Sequence, residues 1–144
     1  MIPKQKNLNM NNKLFLDDVR NPIDCILYIK DKIYAEEWDI VRNYNEFINY
    51  ITENGIPDLI SFDHDLADEH YHPSMFNNDS AIYNDRREHF KEKTGYDCAK
   101  WLCDYCSQNG LPLPTYLVHS MNPVGRDNIL GVLKTFERFE KRVK

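Results

Sequence analysis

Four short runs along the chain have the look of strands, and three of them end in acids or histidine. Lys13-Leu-Phe-Leu-Asp-Asp18 sets three apolar residues in a row and then stops on two carboxylates. An unbroken apolar run of this length predicts a strand buried on both faces, as in a parallel sheet. Asp39 to Asn43, following Trp38, predicts a second strand. Asp58-Leu-Ile-Ser-Phe-Asp63 predicts a third, and Thr115-Tyr-Leu-Val-His-Ser120 a fourth. Between them the period changes. Tyr44, Phe47, Ile48 and Ile51 fall at i, i+3, i+4 and i+7, one helical stripe that Gly55 stops. Cys98, Trp101, Leu102 and Tyr105 mark a helix that begins after Thr94-Gly95-Tyr96-Asp97 and runs to Gly110. Asn122-Pro123 starts another, with Asn as cap and Pro in the first turn, and Ile129, Val132, Leu133 and Phe136 carry it.

Residues 67–93 break the pattern: they are polar, without a sustained period, and predict a loop or lid inserted after the third strand. A short helix over Asp85 to Lys91 fits within them. Residues 1–12 read as a flexible lead-in without the apolar core of a signal peptide, which leaves 13–144 as a single domain. Strands alternating with helices predict a parallel sheet with right-handed crossovers. Ligands of such sheets bind beyond the carboxyl ends of the strands. Those ends here are Asp17-Asp18, Asp63-His64-Asp65 and His119-Ser120.

If the first and third strands are neighbours, Asp17, Asp18, Asp63 and Asp65 converge. Carboxylates so placed repel one another unless a cation neutralises them or some hold protons. A hard divalent ion, Mg²⁺ or Mn²⁺, on oxygen ligands is the simplest resolution, and it leaves room for phosphate. The plainer reading makes these acids caps of turns and helix starts. His64 and His119 add groups that exchange protons near neutral pH, suited to general acid–base work at a phosphoester. Arg20 is either a forked donor to phosphate or an internal partner of its acidic neighbours. Ser120 to Asn122 precede a helix whose free N–H groups form an anion site, so Ser120 and Asn122 either touch phosphate or simply cap. His70 and His72, flanking Tyr71, read as surface residues.

Charge and cysteine content narrow the classes. A formal net charge of −5 argues against a grip on long nucleic acid through many phosphates, while allowing a small nucleotide or one RNA end. The basic residues near the C-terminus, from Lys134 to Lys144, read as a solvated helix face. No apolar run approaches the roughly 20 residues of a membrane span, so a cytoplasmic protein is expected. Cys103 and Cys106 form a CxxC without a second pair to complete a zinc site, and they sit within a helical stripe; buried thiols are the expectation.

The strings LFLDDVRNP, DLISFDHDL, TGYD and VHSMNPVG occur in this order from Lys13 to about Phe136, and together they resemble the cyclic-phosphate-processing receiver family. The resemblance implies a receiver-like, flavodoxin-like three-layer sandwich with strand order 2-1-3-4 and room for a fifth edge strand. It implies processing of cyclic phosphates, either cyclic nucleotides or 2′,3′-cyclic ends of RNA. By the same resemblance Asp17 and Asp18 match the receiver's metal-binding pair, Asp63 its phosphoacceptor, and Ser120 lies near its strand-four hydroxyl residue. His64, Asp65, His119 and Asn122 match the cyclic-phosphate variant. The lysine-proline of an ordinary receiver's fifth strand is missing, which weakens a phosphorelay role at Asp63. The expectation is a metal-assisted phosphoesterase: Asp17, Asp18, Asp63 and Asp65 on the ion, His119, His64 and Asp63 in the chemistry, and Arg20, Ser120 and Asn122 on the phosphate. The alternative is a non-catalytic module that binds a cyclic nucleotide or a protein partner.

Overall fold

The computed structural model describes residues 12–66 and 93–143. The expected short helix at 85–91, His70, His72 and almost all of the expected lead-in and lid lie outside them. Strand β1 spans Lys13–Leu16, helix α1 Pro22–Ile29, a 3₁₀ turn Lys32–Ala35, and β2 Asp39–Val41. Helix α2 covers Tyr44–Asn54, β3 Leu59–Phe62, α3 Gly95–Asn109, β4 Thr115–Val118 and α4 Pro123–Val143. The strands form one parallel sheet in the order β2-β1-β3-β4, as the resemblance implied, and no fifth strand occurs among the described residues.

Alternation along the strands sorts side chains to the two faces. Leu14, Leu16, Ile60 and Phe62 face the larger core with Phe47 and Ile51 of α2, Leu102 and Cys106 of α3, and Ile129 and Leu133 of α4. Phe15 faces the other way, into a smaller core with Cys25 and Tyr34, edged by Trp38 and Leu117. Cys25, Cys98, Cys103 and Cys106 are all buried and unpaired, as expected of thiols used for packing.

The sequence pattern did not predict α1 or the 3₁₀ turn that cover this second face. Only Pro22 and Cys25 of α1 are buried, and Ile23 and Leu27 are exposed, so the helix has no readable apolar stripe. It is held at its start by Asp24, whose Oδ2 accepts from Asn21 N at 2.8 Å while its own N–H donates to Asn21 O at 2.9 Å. Each strand stops with the last apolar residue of its predicted run, at Leu16, Val41, Phe62 and Val118, so the acids and the histidine come just past the strand ends. No helix among the described residues is long and apolar enough to cross a membrane.

Candidate phosphate and metal site

The sheet register alone assembles the centre of the site. Leu16 pairs with Phe62, and Phe62 with Val118, so the next residues in line are Asp17, Asp63 and His119. The ladder continues one step further: Asp63 N–H donates to Leu16 O at 3.0 Å and His119 N–H to Phe62 O at 3.0 Å. Around these ends lies a cleft of about 250 Å³ lined by Asp17, Asp18, Arg20, Asp63, Asp65, Ser120 and Asn122, with Val19 and Met121. Seven sequence candidates therefore share one cavity. The two histidines, His64 and His119, do not line it.

His119 lies behind the cleft, about 1% exposed, stacked on Phe15 with ring centroids 4.4 Å apart. Both of its nitrogens are engaged: Nε2 lies 3.0 Å from Asp17 Oδ2 and Nδ1 2.7 Å from Ser61 Oγ. Ser61 Oγ in turn lies 2.6 Å from the Tyr34 hydroxyl. Burial lowers the His119 pKa, and this outweighs the hydrogen bond and charge of Asp17, which raise it. The ring is therefore neutral at pH 7, and an ionised Asp17 only accepts. The proton sits on Nε2, Ser61 donates to Nδ1, and Tyr34 donates to Ser61: one directed chain, fully satisfied.

Asp17 is the hub. Burial raises its pKa, but the bond from His119 and those from the N–H groups of Arg20 and Val19 outweigh it, and the net shift is downward. Its Oδ1 accepts from Val19 N at 3.0 Å and Arg20 N at 2.8 Å, so it caps the turn as well as facing the cleft. Asp63 is its opposite. Burial, followed by the charges of Asp17 and Asp18, outweighs the backbone N–H of His64 and the Arg20 charge and pushes its carboxyl up to about 8. Two acids side by side thus divide into one carboxylate and one carboxylic acid near neutral pH.

Arg20 takes up both sequence readings in part. Its Nη1 is 3.9 Å from Asp17 Oδ2 and its guanidinium lies over the Tyr28 ring at 5.3 Å, yet its side chain still lines the cleft. The loop that carries it is pinned by Arg42 of β2's end, which donates to the carbonyls of Asp17 and Arg20 at 3.1 and 2.7 Å and to Asn21 Oδ1 at 2.7 Å.

A second polar group forms the opposite wall. Asp65 bonds His64 Nδ1 at 2.9 Å through one oxygen and accepts from Asn122 Nδ2 at 3.4 Å through the other. Asn122 caps α4 as expected, its Oδ1 accepting from Gly125 N at 3.0 Å, and Ser120 Oγ accepts from Asn122 N at 3.1 Å. Two glycines make this approach possible. A Cβ on Gly125 would stand 2.3 Å from the His64 ring, and one on Gly95 would stand 1.7 Å from the Asp63 carbonyl. Gly95 also donates to His64 O at 2.7 Å, while Thr94 and Asp97 cap α3 reciprocally.

A sequence model of the cyclic-phosphate processing receiver domain matches residues 12–135. The chain belongs to the cyclic-phosphate-processing receiver family. No curated protein and no solved structure matched it. Within this receiver domain the motif residues of β1, β3 and β4 are the ones that meet at the cleft, with His64 and His119 set behind its walls.

The ligand atoms of Asp17, Asp63 and His119 lie within 4.8 Å of one another, close enough for the three to hold one metal ion. The donor set fits a cation: burial and the neighbouring Asp17 charge leave Asp63 holding a proton, and among the described side chains that line the cleft Arg20 alone is basic. Oxygen donors suit a hard divalent ion. For His119 to join them, the proton on Nε2 would have to move to Nδ1 and Ser61 would have to turn its hydroxyl.

Sequence reasoning missed Ser61, Tyr34, Tyr28 and Arg42. Ser61 carried a faint signal, a lone hydroxyl within an apolar strand. Tyr34 and Tyr28 carried none, because their roles arise from α1 and the 3₁₀ turn folding over Phe15, and Arg42 carried none, because its bonds to the loop after β1 follow from β2 lying beside β1.

Proposed function

We propose that this receiver domain is a metal-assisted phosphoesterase that opens a cyclic phosphate of a nucleotide or of an RNA end. The observation that carries the reading is the single cleft joining Asp17, Asp18 and Asp63 to Arg20, Ser120 and Asn122, acids for an ion beside donors for a phosphate. A bound Mg²⁺ or Mn²⁺ supplies positive charge at the phosphoryl oxygens and acidifies a water. Asp17, Asp18 and Asp63 hold that ion, with Asp65 at the margin. Arg20 presents its fork to the phosphate, and Ser120 and Asn122 meet it at the start of α4. Water adds to phosphorus, one phosphorus–ribose oxygen bond breaks, and the ribose oxygen takes a proton to leave a monoester.

His64, held through Nδ1 by Asp65, is the imidazole assigned to that proton. His119 acts on Asp17 instead: its N–H fixes the orientation of the carboxylate. That neither ring lines the cleft favours a second reading, a module that binds a cyclic nucleotide without cleaving it. One experiment separates them. Wild type, Asp17→Asn and His64→Ala are incubated with 2′,3′-cyclic nucleotides and Mn²⁺, and products are followed by chromatography. Monoester formation lost in Asp17→Asn, and cut about 10²-fold or more in His64→Ala, is expected. Intact ligand that nonetheless raises the melting temperature supports the binding module, and neither effect refutes both.

A further inference from the structure

On the far side of the Ser120–Met121 turn lies a second cleft, larger than the acid-lined one, that the reading above leaves unused. It measures about 380 Å³ and is walled by Tyr28, Ile29, Val118, Ser120, Met121 and Arg126, within the range of small-molecule sites. It exists because β4 is an edge: the strand pairs with β3 on one side and with no described strand on the other. Ser120 and Met121 belong to both clefts, so the two cavities share one wall. Their chemistry differs. The first is lined by acids, whereas the second mixes apolar walls with the neutral polar groups of Tyr28, His119 and Ser120 and a single full charge, Arg126.

We propose that this β4-edge cleft seats the base of a nucleoside whose cyclic phosphate occupies the acid-lined cleft; the inference rests on the phosphate reading above. Three observations favour a base over other occupants. The shared turn places the two cavities as close neighbours, and a ribose bridges phosphate and base over a short reach. Arg126 has no acidic partner among the described residues, and a guanidinium both stacks on a base and donates to its carbonyl and ring-nitrogen acceptors. Met121, 59% exposed on the common wall, offers a polarisable thioether to a flat ring. A lipid tail or an apolar peptide would leave that guanidinium unanswered.

The test compares ligands with and without a base. Binding of 2′,3′-cyclic GMP and of 1-O-methylribose 2,3-cyclic phosphate is measured by calorimetry with Mn²⁺ present, on wild type and Arg126→Ala. Arg126 is exposed on a helix, so alanine there leaves folding intact. Wild type is expected to bind the nucleotide at least tenfold more tightly than the base-free sugar. Arg126→Ala should shrink that ratio severalfold while leaving affinity for the base-free sugar unchanged. Equal affinities in wild type, or an undiminished ratio in the variant, overturn the base cleft and leave the phosphate reading standing. Failure of both ligands to bind overturns the two together. A short oligoribonucleotide ending in the same cyclic phosphate distinguishes the sources: tighter binding than the mononucleotide assigns the cleft to RNA ends, weaker binding to free nucleotides, and the base occupies it in either case.

Discussion

Replacing Asp63 by Asn tests the central electrostatic claim without any ligand. Burial and the charges of Asp17 and Asp18 push the Asp63 carboxyl from 3.8 up to about 8. Between those two values the folded protein retains a proton that the unfolded chain has released. Folded protein therefore binds more protons than unfolded, and its stability falls as pH rises through this window. Each pH unit well inside it costs up to about 1.4 kcal/mol. From about pH 5.5 to 8.5 the loss from this one group comes to roughly 3 kcal/mol, flattening above pH 8 as the folded-state group ionises. Asn has nearly the same shape, keeps an oxygen for the His64 N–H, and does not titrate.

The quantity to follow is the difference in unfolding free energy, Asp63→Asn minus wild type, from urea titrations in EDTA. It should grow by about 3 kcal/mol in favour of the variant over that range. Other titrations largely cancel in the difference. Asp17, whose pKa is lowered on folding, contributes stability that is lost only at acid pH, as pH falls through its folded value. His119, also lowered, loses its contribution as pH falls below the unfolded value, about 6.5 for histidine, and does so in both proteins. A difference that stays flat with pH would show that Asp63 is ionised throughout, and the division of labour between the two acids would then be wrong.

Two further substitutions probe the framework. Gly95→Ala sets a methyl group 1.7 Å from the Asp63 carbonyl, a backbone atom that cannot swing aside. It should cost about 3 kcal/mol in thermal or urea unfolding, and a melting point within a degree or two of wild type would show that the α3 start has slack. Ser61→Ala strands both His119 Nδ1 and the Tyr34 hydroxyl in the core, for a loss of about 2 to 4 kcal/mol. Adding Tyr34→Phe removes one stranded group, so the double variant should lose less than the sum of the singles, and strict additivity in urea unfolding would break the relay.

Much of this fold was legible because its two central strands, β1 and β3, are buried on both faces and most of its helices on one. Leu14-Phe15-Leu16 and Leu59 to Phe62 can be read as sheet because nothing polar but Ser61 interrupts them. The cleft was legible for a related reason. Parallel strands in register present their following residues side by side, so runs ending in Asp17, Asp63 and His119 already imply a shared rim. What could not be read was depth. Sequence places His119 at a strand end but does not tell whether its ring turns to the cleft or under it. Phe15, Ser61 and Tyr34 draw it under, and Tyr34 reaches it only because the weakly patterned α1 and the 3₁₀ turn close that face. A helix apolar almost all round, such as α1 with Ile23 and Leu27 on its exposed side, has no polar face to mark a period.

Depth also changes how the acidic cluster should be understood. Four convergent carboxylates suggest one crowded negative pocket, but hydrogen bonding separates them by role. Asp17 takes three donors and stays ionised; Asp65 is tied to His64 and Asn122 across the cleft; Asp63, with a single backbone donor, carries the proton. The carboxyl that most lacks compensation is therefore Asp63, and it is there that a bound cation would displace a proton. Because Tyr34, Ser61 and His119 hold Asp17 from within the core, that carboxylate is already oriented before any ion would bind. A pocket of equally mobile acids would have to be ordered at each binding event, with the entropy cost that entails. Here the folded chain has already met that cost through a polar relay that never touches the cleft.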